Sequence, residues 1–280
     1  MCLDDLSRHV DMGYLVCFLK AYDFRKVIGG TSQPQITKAG ISSIEVPIYP
    51  KTDQLAIRTR LESILNKMAA CERLEEKLDS FVKSRFVEMF GDQKNNNVRR
   101  LKDVCYIITD GTHQPPKFKN EGIPFLFVSN IATNEVTYET SKYISEDDYR
   151  VLTKRTPIEI GDILVSAVGS FGHPAIVKDD RPFCFQRHIA YLKPMRHIVN
   201  SRYLHAALLS EGAQNYMEQC AKGVAQRTVT LKSFKEMFVP VPPLSLQREF
   251  AAFAAQVDKS EFVARRQGIL LDVLARAITA

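Results

Sequence analysis

Three short loops hold most of the side chains able to grip a polyanion or match the polar edge of a planar ring. The first carries Thr112, His113, Gln114, Lys117 and Lys119 in a stretch rich in proline and glycine. In the second, Gln186, Arg187 and His188 interrupt the apolar run from Phe183 to Leu192. The third follows Gly223 with Gln226, Arg227 and Thr228, while Ser129, Asn130 and Ser170 are weaker candidates of the same kind. Arg and Lys donate in pairs to guanine or to phosphate, and Asn and Gln match adenine, so this mixture suits the reading of duplex DNA. Each loop also has a plainer reading, as solvated surface or as polar groups satisfied by the backbone. Strand alternation places Gln186 and His188 on one face and Arg187 on the other.

Signs of catalysis are absent from the sequence. It contains no phosphate-binding G-x-x-x-x-G-K-[ST] loop, no H-E-x-x-H, no G-x-S-x-G elbow, no dinucleotide glycine turn and no Asn/Asp-Pro-Pro-aromatic methyltransferase signature. Six histidines and six cysteines are scattered without metal-ligand spacing, and no CxxC occurs. His113 follows Asp110 closely enough to suggest a general base, but nothing else completes such a site. The expectation is a chain without enzymatic activity, metal or cofactor.

Composition agrees with a folded, non-membrane protein. Of the 280 residues, 45% are hydrophobic and 25% charged, and the formal net charge is +6. Residues 98–245 hold most of that surplus, which suits phosphate contacts without demanding them. No apolar run reaches the length of a bilayer span, and the acidic, polar start is unlike a signal peptide, so the expected location is the cytoplasm.

An internal repeat organises the chain. Residues 30–57 align without a gap on 223–250 at an offset of 193, with identities Gly30/Gly223, Gln33/Gln226, Thr37/Thr230, Val46/Val239, Pro47/Pro240, Pro50/Pro243 and Gln54/Gln247. Each copy reads as a polar loop, a short amphipathic turn, an extended V-P-x-x-P segment and a long helix, with Thr52 or Asp53 and Ser245 placed to cap the helices. The first helix, about 53–90, sets Ile57, Ile64, Cys71 and Leu78 on one line and Leu61, Met68 and Val82 beside it. The second, about 246–279, sets Phe250, Val257, Ala264, Leu271 and Ile278 on the matching line. Helices of roughly 35 residues extend about 50 Å, longer than a small domain is wide, which favours an antiparallel pair over helices docked each on its own domain.

Between them, 98–245 has short β-rich runs at Cys105–Thr109, Pro124–Val128, Asp162–Val168, Ala175–Val177 and Phe183–Lys193, then a helical stretch over 201–221. Tyr14–Tyr22 reads as the counterpart of the start of that stretch. The fold class expected is α+β, a mixed α/β domain flanked by two long helices.

With these features in place, the chain resembles the DNA specificity subunits of type I restriction-modification systems. The likeness rests on the two G-x-x-Q-x-x-(I/V)-T loops, the two V-P-x-x-P…Q segments, the helix end at 86–92, and the segments 110–115, 122–128, 161–165 and 185–192. It implies target-recognition domains joined by an antiparallel coiled coil, with each domain reading half of a split DNA sequence. The implied division is a remnant of a first recognition domain at 1–50, a central helical region at 51–97, a complete recognition domain at 98–245 and a terminal helix at 246–280. The implied partners are duplex DNA and the methyltransferase and restriction subunits. Two copies could also pair through the helical seam of Ile57, Leu61, Ile64, Met68, Leu78, Val82, Phe250, Val257, Leu271 and Ile278. The rival expectations are an inactive specificity-cassette product and a coiled-coil scaffold that does not bind DNA.

Overall fold

A computed structural model describes residues 7–29, 35–91, 97–114, 116–223 and 226–279. Gly30 and Gln33 of the first loop, Asp92 of the helix end and Pro115 lie outside the described residues. The elements, in order, are α1 (Met12–Ala21), β1 (Ile28–Gly29), β2 (Gln35–Ile36), α2 (Lys38–Ser42), α3 (Lys51–Phe90), β3 (Val98–Arg100) and β4 (Cys105–Asp110). They continue with β5 (Ile123–Leu126), β6 (Tyr143–Ile144), α4 (Glu146–Leu152), β7 (Ile163–Ser166), β8 (Pro174–Ile176), β9 (Cys184–Phe185) and β10 (Ile189–Pro194). The last are α5 (Ser201–Leu209), α6 (Glu211–Cys220), α7 (Leu231–Glu236), β11 (Phe238–Pro240) and α8 (Leu244–Thr279). Two units result, 1–81 with 256–280, and 82–255.

In the larger unit, β4, β10, β7 and β8 form an antiparallel sheet in that order, and β6, β5 and β9 form a second, smaller sheet. Alternation along β10 explains the two-sided burial. Ile189 and Tyr191 join Leu126, Leu164, Phe183 and Phe185 in a core fed by both sheets, whereas the opposite face of the four-stranded sheet is covered by helices, α5 against β8 and α7 against β4. Phe183–Lys193 is not one strand. The chain leaves the small sheet at Phe185, turns through Gln186–His188 with Ile189 N–H donating to Gln186 O (3.1 Å), and enters the large sheet as β10. The alternation expected for Gln186, Arg187 and His188 therefore does not apply. The expected helix 201–221 is likewise two helices, broken at Ser210, whose extended backbone (φ −62°, ψ 152°) ends α5 and whose hydroxyl caps α6.

The repeat is reproduced in three dimensions. Thr37 and Thr230 cap α2 and α7, each hydroxyl accepting from the N–H three residues on (3.1 Å in both). The long helices begin earlier than Thr52 and Ser245 would set them. Pro50 and Pro243 precede their first residues, and the proline carbonyls accept the first helical N–H bonds, from Asp53 (2.9 Å) and Leu246 (3.0 Å). Proline suits that place because it has no N–H to satisfy.

Within each unit the long helices run antiparallel. In the smaller, Leu61 and Ala275 share a cluster, Gly268 faces Cys71, and Arg265 pairs with Glu75 (3.4 Å). In the larger, Phe86, Phe90, Tyr203 and Phe250 form an aromatic nest with ring centroids 4.9 to 6.5 Å apart, and Arg85 meets Glu249 (3.4 Å). Leu61, Val82, Phe250 and Val257 are buried, and Ile57, Ile64, Met68, Leu78 and Leu271 are half-buried. Ile278 is 37% exposed, so the expected seam frays there. Among the described residues no helix is long and apolar enough to cross a membrane.

Candidate nucleic-acid interface

All three polar loops belong to the larger unit, and residues 112–114 of the first meet the second and third at one end of its four-stranded sheet. β4 ends there at Asp110, β7 ends at Ser166, and β8 and β10 begin there at Pro174 and Ile189. The loops are tied to one another by main-chain bonds. Thr112 N–H donates to Phe185 O (3.0 Å), and Arg187 N–H donates back to Thr112 O (3.0 Å). Farther along, Ala167 N–H donates to His188 O (2.8 Å), Gly169 N–H to Arg227 O (2.9 Å) and Val229 N–H to Ala167 O (2.8 Å). Residues 110–114, 166–171, 186–188 and 226–229 thus form one continuous surface.

That closeness demands a glycine. A Cβ on Gly111 would lie 2.1 Å from Phe185 O, so any other residue would force the loops apart.

The individual side chains differ in how free they are. Arg187 is exposed, and its Nε stands 3.5 Å from His188 Nε2, at the limit of a hydrogen bond. Arg227 is anchored instead: its guanidinium contacts the Glu218 carboxylate, donates to Glu218 O (2.7 Å), and lies 5.3 Å from the centre of the Phe171 ring. Its first task is to hold residues 226–229 against Glu218 of α6. Thr112 donates to Gln114 O (2.9 Å), and Thr228 pairs with Val168 and Lys222 through the backbone.

His113 and Gln114 are exposed, with His113 Nε2 2.9 Å from Asp110 Oδ2. Gln186 is half-buried and gives its N–H to Leu126 O (3.2 Å). His188 is held below the usual histidine pKa by burial first and by the Arg187 charge second, which favours the neutral ring. Ser170 is exposed, with its hydroxyl 3.0 Å from His173 Nε2.

Other candidates stand apart from this surface. Lys117 and Lys119 are exposed, and Lys119 is tied by two backbone bonds to Tyr143 of β6 rather than to the sheet end. Ser129 is exposed in the turn after β5. Asn130 is withdrawn altogether. It is 4% exposed, accepting from Phe127 N–H (2.9 Å) and donating to Glu139 O (2.8 Å), so it builds the turn instead of facing a partner.

Sequence reasoning passes over Arg155, Phe171 and Glu218. Each is separated in sequence from the residue it touches, and no local motif marks such pairings. Among the described residues no group of His, Cys, Asp and Glu is arranged to hold a metal ion.

Residues 93–268 match the family model described as the type I restriction modification DNA specificity domain. The chain belongs to this family. Among curated members of the type I specificity family, it is 30% identical over 192 residues to the EcoBI specificity subunit of Escherichia coli, covering 65% of this chain and 40% of that protein. It is 21% identical over 289 residues to the MjaVIII specificity subunit of Methanocaldococcus jannaschii, covering 95% of this chain and 66% of that one. The chain thus spans well under half of the first relative and about two thirds of the second.

The specificity-subunit fold is also seen in solved structures. The S subunit of the type I restriction-modification system from M. genitalium superposes with a TM-score of 0.58 at 17% identity, covering 97% of this chain and 72% of the other. A structure described as showing complex assembly and conformational transition of the type I R-M system gives 0.52 at 20% identity, covering 95% and 67%. The mixed α+β architecture with two long helices agrees with both.

Proposed function

We propose that this chain is the sequence-reading component of a type I restriction-modification complex, and that the sheet end described above is its contact with duplex DNA. The observation carrying this reading is the convergence of three separate polar clusters on one main-chain-locked surface. Base-edge contacts need donors held in fixed register, and loops bonded to each other and to strand ends supply that rigidity. Arg187, His113 and Gln114 are the exposed reading groups, Gln186 and His188 support them, and Lys117, Lys119, Ser129 and Ser170 are peripheral contacts. Residues 98–245 act as the recognition domain, and 7–29 with 35–50 repeat the frame of its final third. Methyl transfer and DNA cleavage are assigned to partner subunits, the chain adding no catalytic group, and the complex works in the cytoplasm.

The partner surface lies on α8. Phe262, Ile269 and Val273 form one line and Val263, Leu270 and Leu274 the next, all between 54% and 64% exposed. They face away from the Ala264, Leu271 and Ala275 side, which is turned to α3. A patch of six large apolar side chains on one helix marks an interaction site, and a helix of the methyltransferase subunit is the occupant proposed. The seam residues are already engaged within the chain, so two copies would have to pair through this outer face as well. The test is co-expression with the methyltransferase subunit followed by methylome sequencing. A modified split motif supports the reading, and a soluble complex that marks no motif overturns it.

A further inference from the structure

Arg155 lies 46 residues from the strand it touches. It closes the turn after α4, yet its guanidinium donates to Thr109 Oγ1 (3.1 Å) and stands 3.9 Å from Asp110 Oδ1, at the end of β4 where the 111–114 loop begins. Asp110 pairs with it only at the long end of ion-pair range. The carboxylate spends Oδ2 on His113 (2.9 Å), and Oδ1 is buried without a hydrogen bond, so Arg155 has one neutral anchor and a distant charge. Its side chain is 69% exposed. A guanidinium has five N–H donors, and this one engages Thr109 through a single nitrogen. The same carboxylate therefore places two groups from different segments, His113 and Arg155, side by side on the rim of the candidate DNA surface.

Resting on the DNA-reading proposal above, we infer that Arg155 is a backbone-contacting residue that grips a phosphate beside the bases faced by the 111–114 and 186–188 loops. The bond from Nη2 to Thr109 orients the guanidinium, and the remaining N–H groups of the fork match phosphate oxygens. The alternative is that Arg155 merely covers the outer edge of β4. An exposed ion pair of that sort adds little stability, and it predicts nothing about DNA.

Phosphate contacts are independent of sequence, so the test needs no known target. The complex of the full chain with its methyltransferase subunit is titrated with a random-sequence duplex over a range of salt concentrations. With Arg155→Ala, the slope of log affinity against log salt should become shallower by about 0.9, the value for one lost phosphate contact on B-DNA. Arg155→Lys should restore it, and Arg155→Gln, which keeps the bulk over β4, should behave as Ala does. An unchanged slope in both Ala and Gln variants, with the wild-type complex still binding in a salt-dependent way, overturns the assignment of Arg155 and leaves the DNA reading standing. A wild-type complex with no salt-dependent affinity for duplex DNA overturns both.

Discussion

Gln54 and Gln247, 193 positions apart, make the same three hydrogen bonds. Gln54 accepts from Asp11 N–H (2.7 Å) and donates to His9 O (2.7 Å) and Tyr49 O (2.7 Å). Gln247 accepts from Asn200 N–H (2.8 Å) and donates to Ile198 O (3.1 Å) and Pro242 O (2.7 Å). In each copy the amide clamps the start of a helix, α1 or α5, to the V-P-x-x-P segment. A tyrosine repeats the link, Tyr14 to Pro47 O (2.9 Å) and Tyr203 to Pro240 O (3.0 Å). Both glutamines are fully buried. Gln247→Ala should therefore strand three buried polar groups and cost about 3 kcal/mol, at the upper end for an unsatisfied buried site. Chemical denaturation of the purified chain measures this, and Gln247→Glu should also destabilise, since a carboxylate has neither of the two N–H donors that reach Ile198 O and Pro242 O.

Arg187 and Arg227 should separate in experiment. Arg187→Ala is expected to weaken binding to the cognate duplex by roughly 1 to 3 kcal/mol with thermal stability unchanged. Arg227→Ala should instead loosen the pairing of Lys222 with Thr228, seen as faster amide exchange at both, because its guanidinium holds Glu218 and covers Phe171. Equal effects of both on DNA affinity, with no change in exchange, would show that Arg227 reads bases as well.

His205 gives the larger unit a dependence on pH. It is 8% exposed, its Nε2 3.0 Å from Pro174 O and its Nδ1 3.2 Å from Arg202. The carbonyl can only accept, so Nε2 carries the hydrogen and Nδ1 receives one from Arg202. Burial first, then the Arg202 charge, pushes its pKa down to about 4 from 6.5. The unfolded chain thus binds the extra proton between about pH 6.5 and 4, and stability present above that window is lost as pH falls through it. The loss amounts to about 3 kcal/mol for a shift of this size. Denaturation midpoints measured across that window should fall with pH in the native chain and fall less in His205→Gln.

The outer face of α8 offers a test of partner docking without a folding defect. Leu270→Glu and Val273→Glu sit at 58% exposure each, so the isolated chain should keep its stability to within about 0.5 kcal/mol. Pull-down of the methyltransferase subunit should drop at least about tenfold if these side chains are anchors of the interface. Unimpaired capture would place the partner elsewhere.

Gly111 tests the locking of the loops at the sheet end. Gly111→Ala must move Phe185 O, 2.1 Å from the new Cβ, and should cost on the order of 2 kcal/mol as an overpacked site. Guanidine titration measures the loss, and a DNA affinity reduced beyond what unfolding explains would show that loop register matters for binding.

The amino-acid sequence by itself determined part of this protein. The register of Gly, Gln, Thr and proline determined the repeat, the heptad lines determined two long helices and the face each turns inward, and the loop composition pointed to a DNA partner. These signals are local or periodic, so they survive in a one-dimensional string. Tertiary structure alone decided the rest. It split Phe183–Lys193 between two sheets, because a parallel bridge to β5 and an antiparallel one to β4 compete for one segment. It withdrew Asn130 into a turn and tied Arg227 to Glu218. It also brought Arg155 to Thr109 and joined three distant clusters into one surface. Those outcomes depend on which backbone groups find partners across the sheet ends, and hydrogen bonds between residues tens of positions apart leave no periodic trace in the chain that makes them.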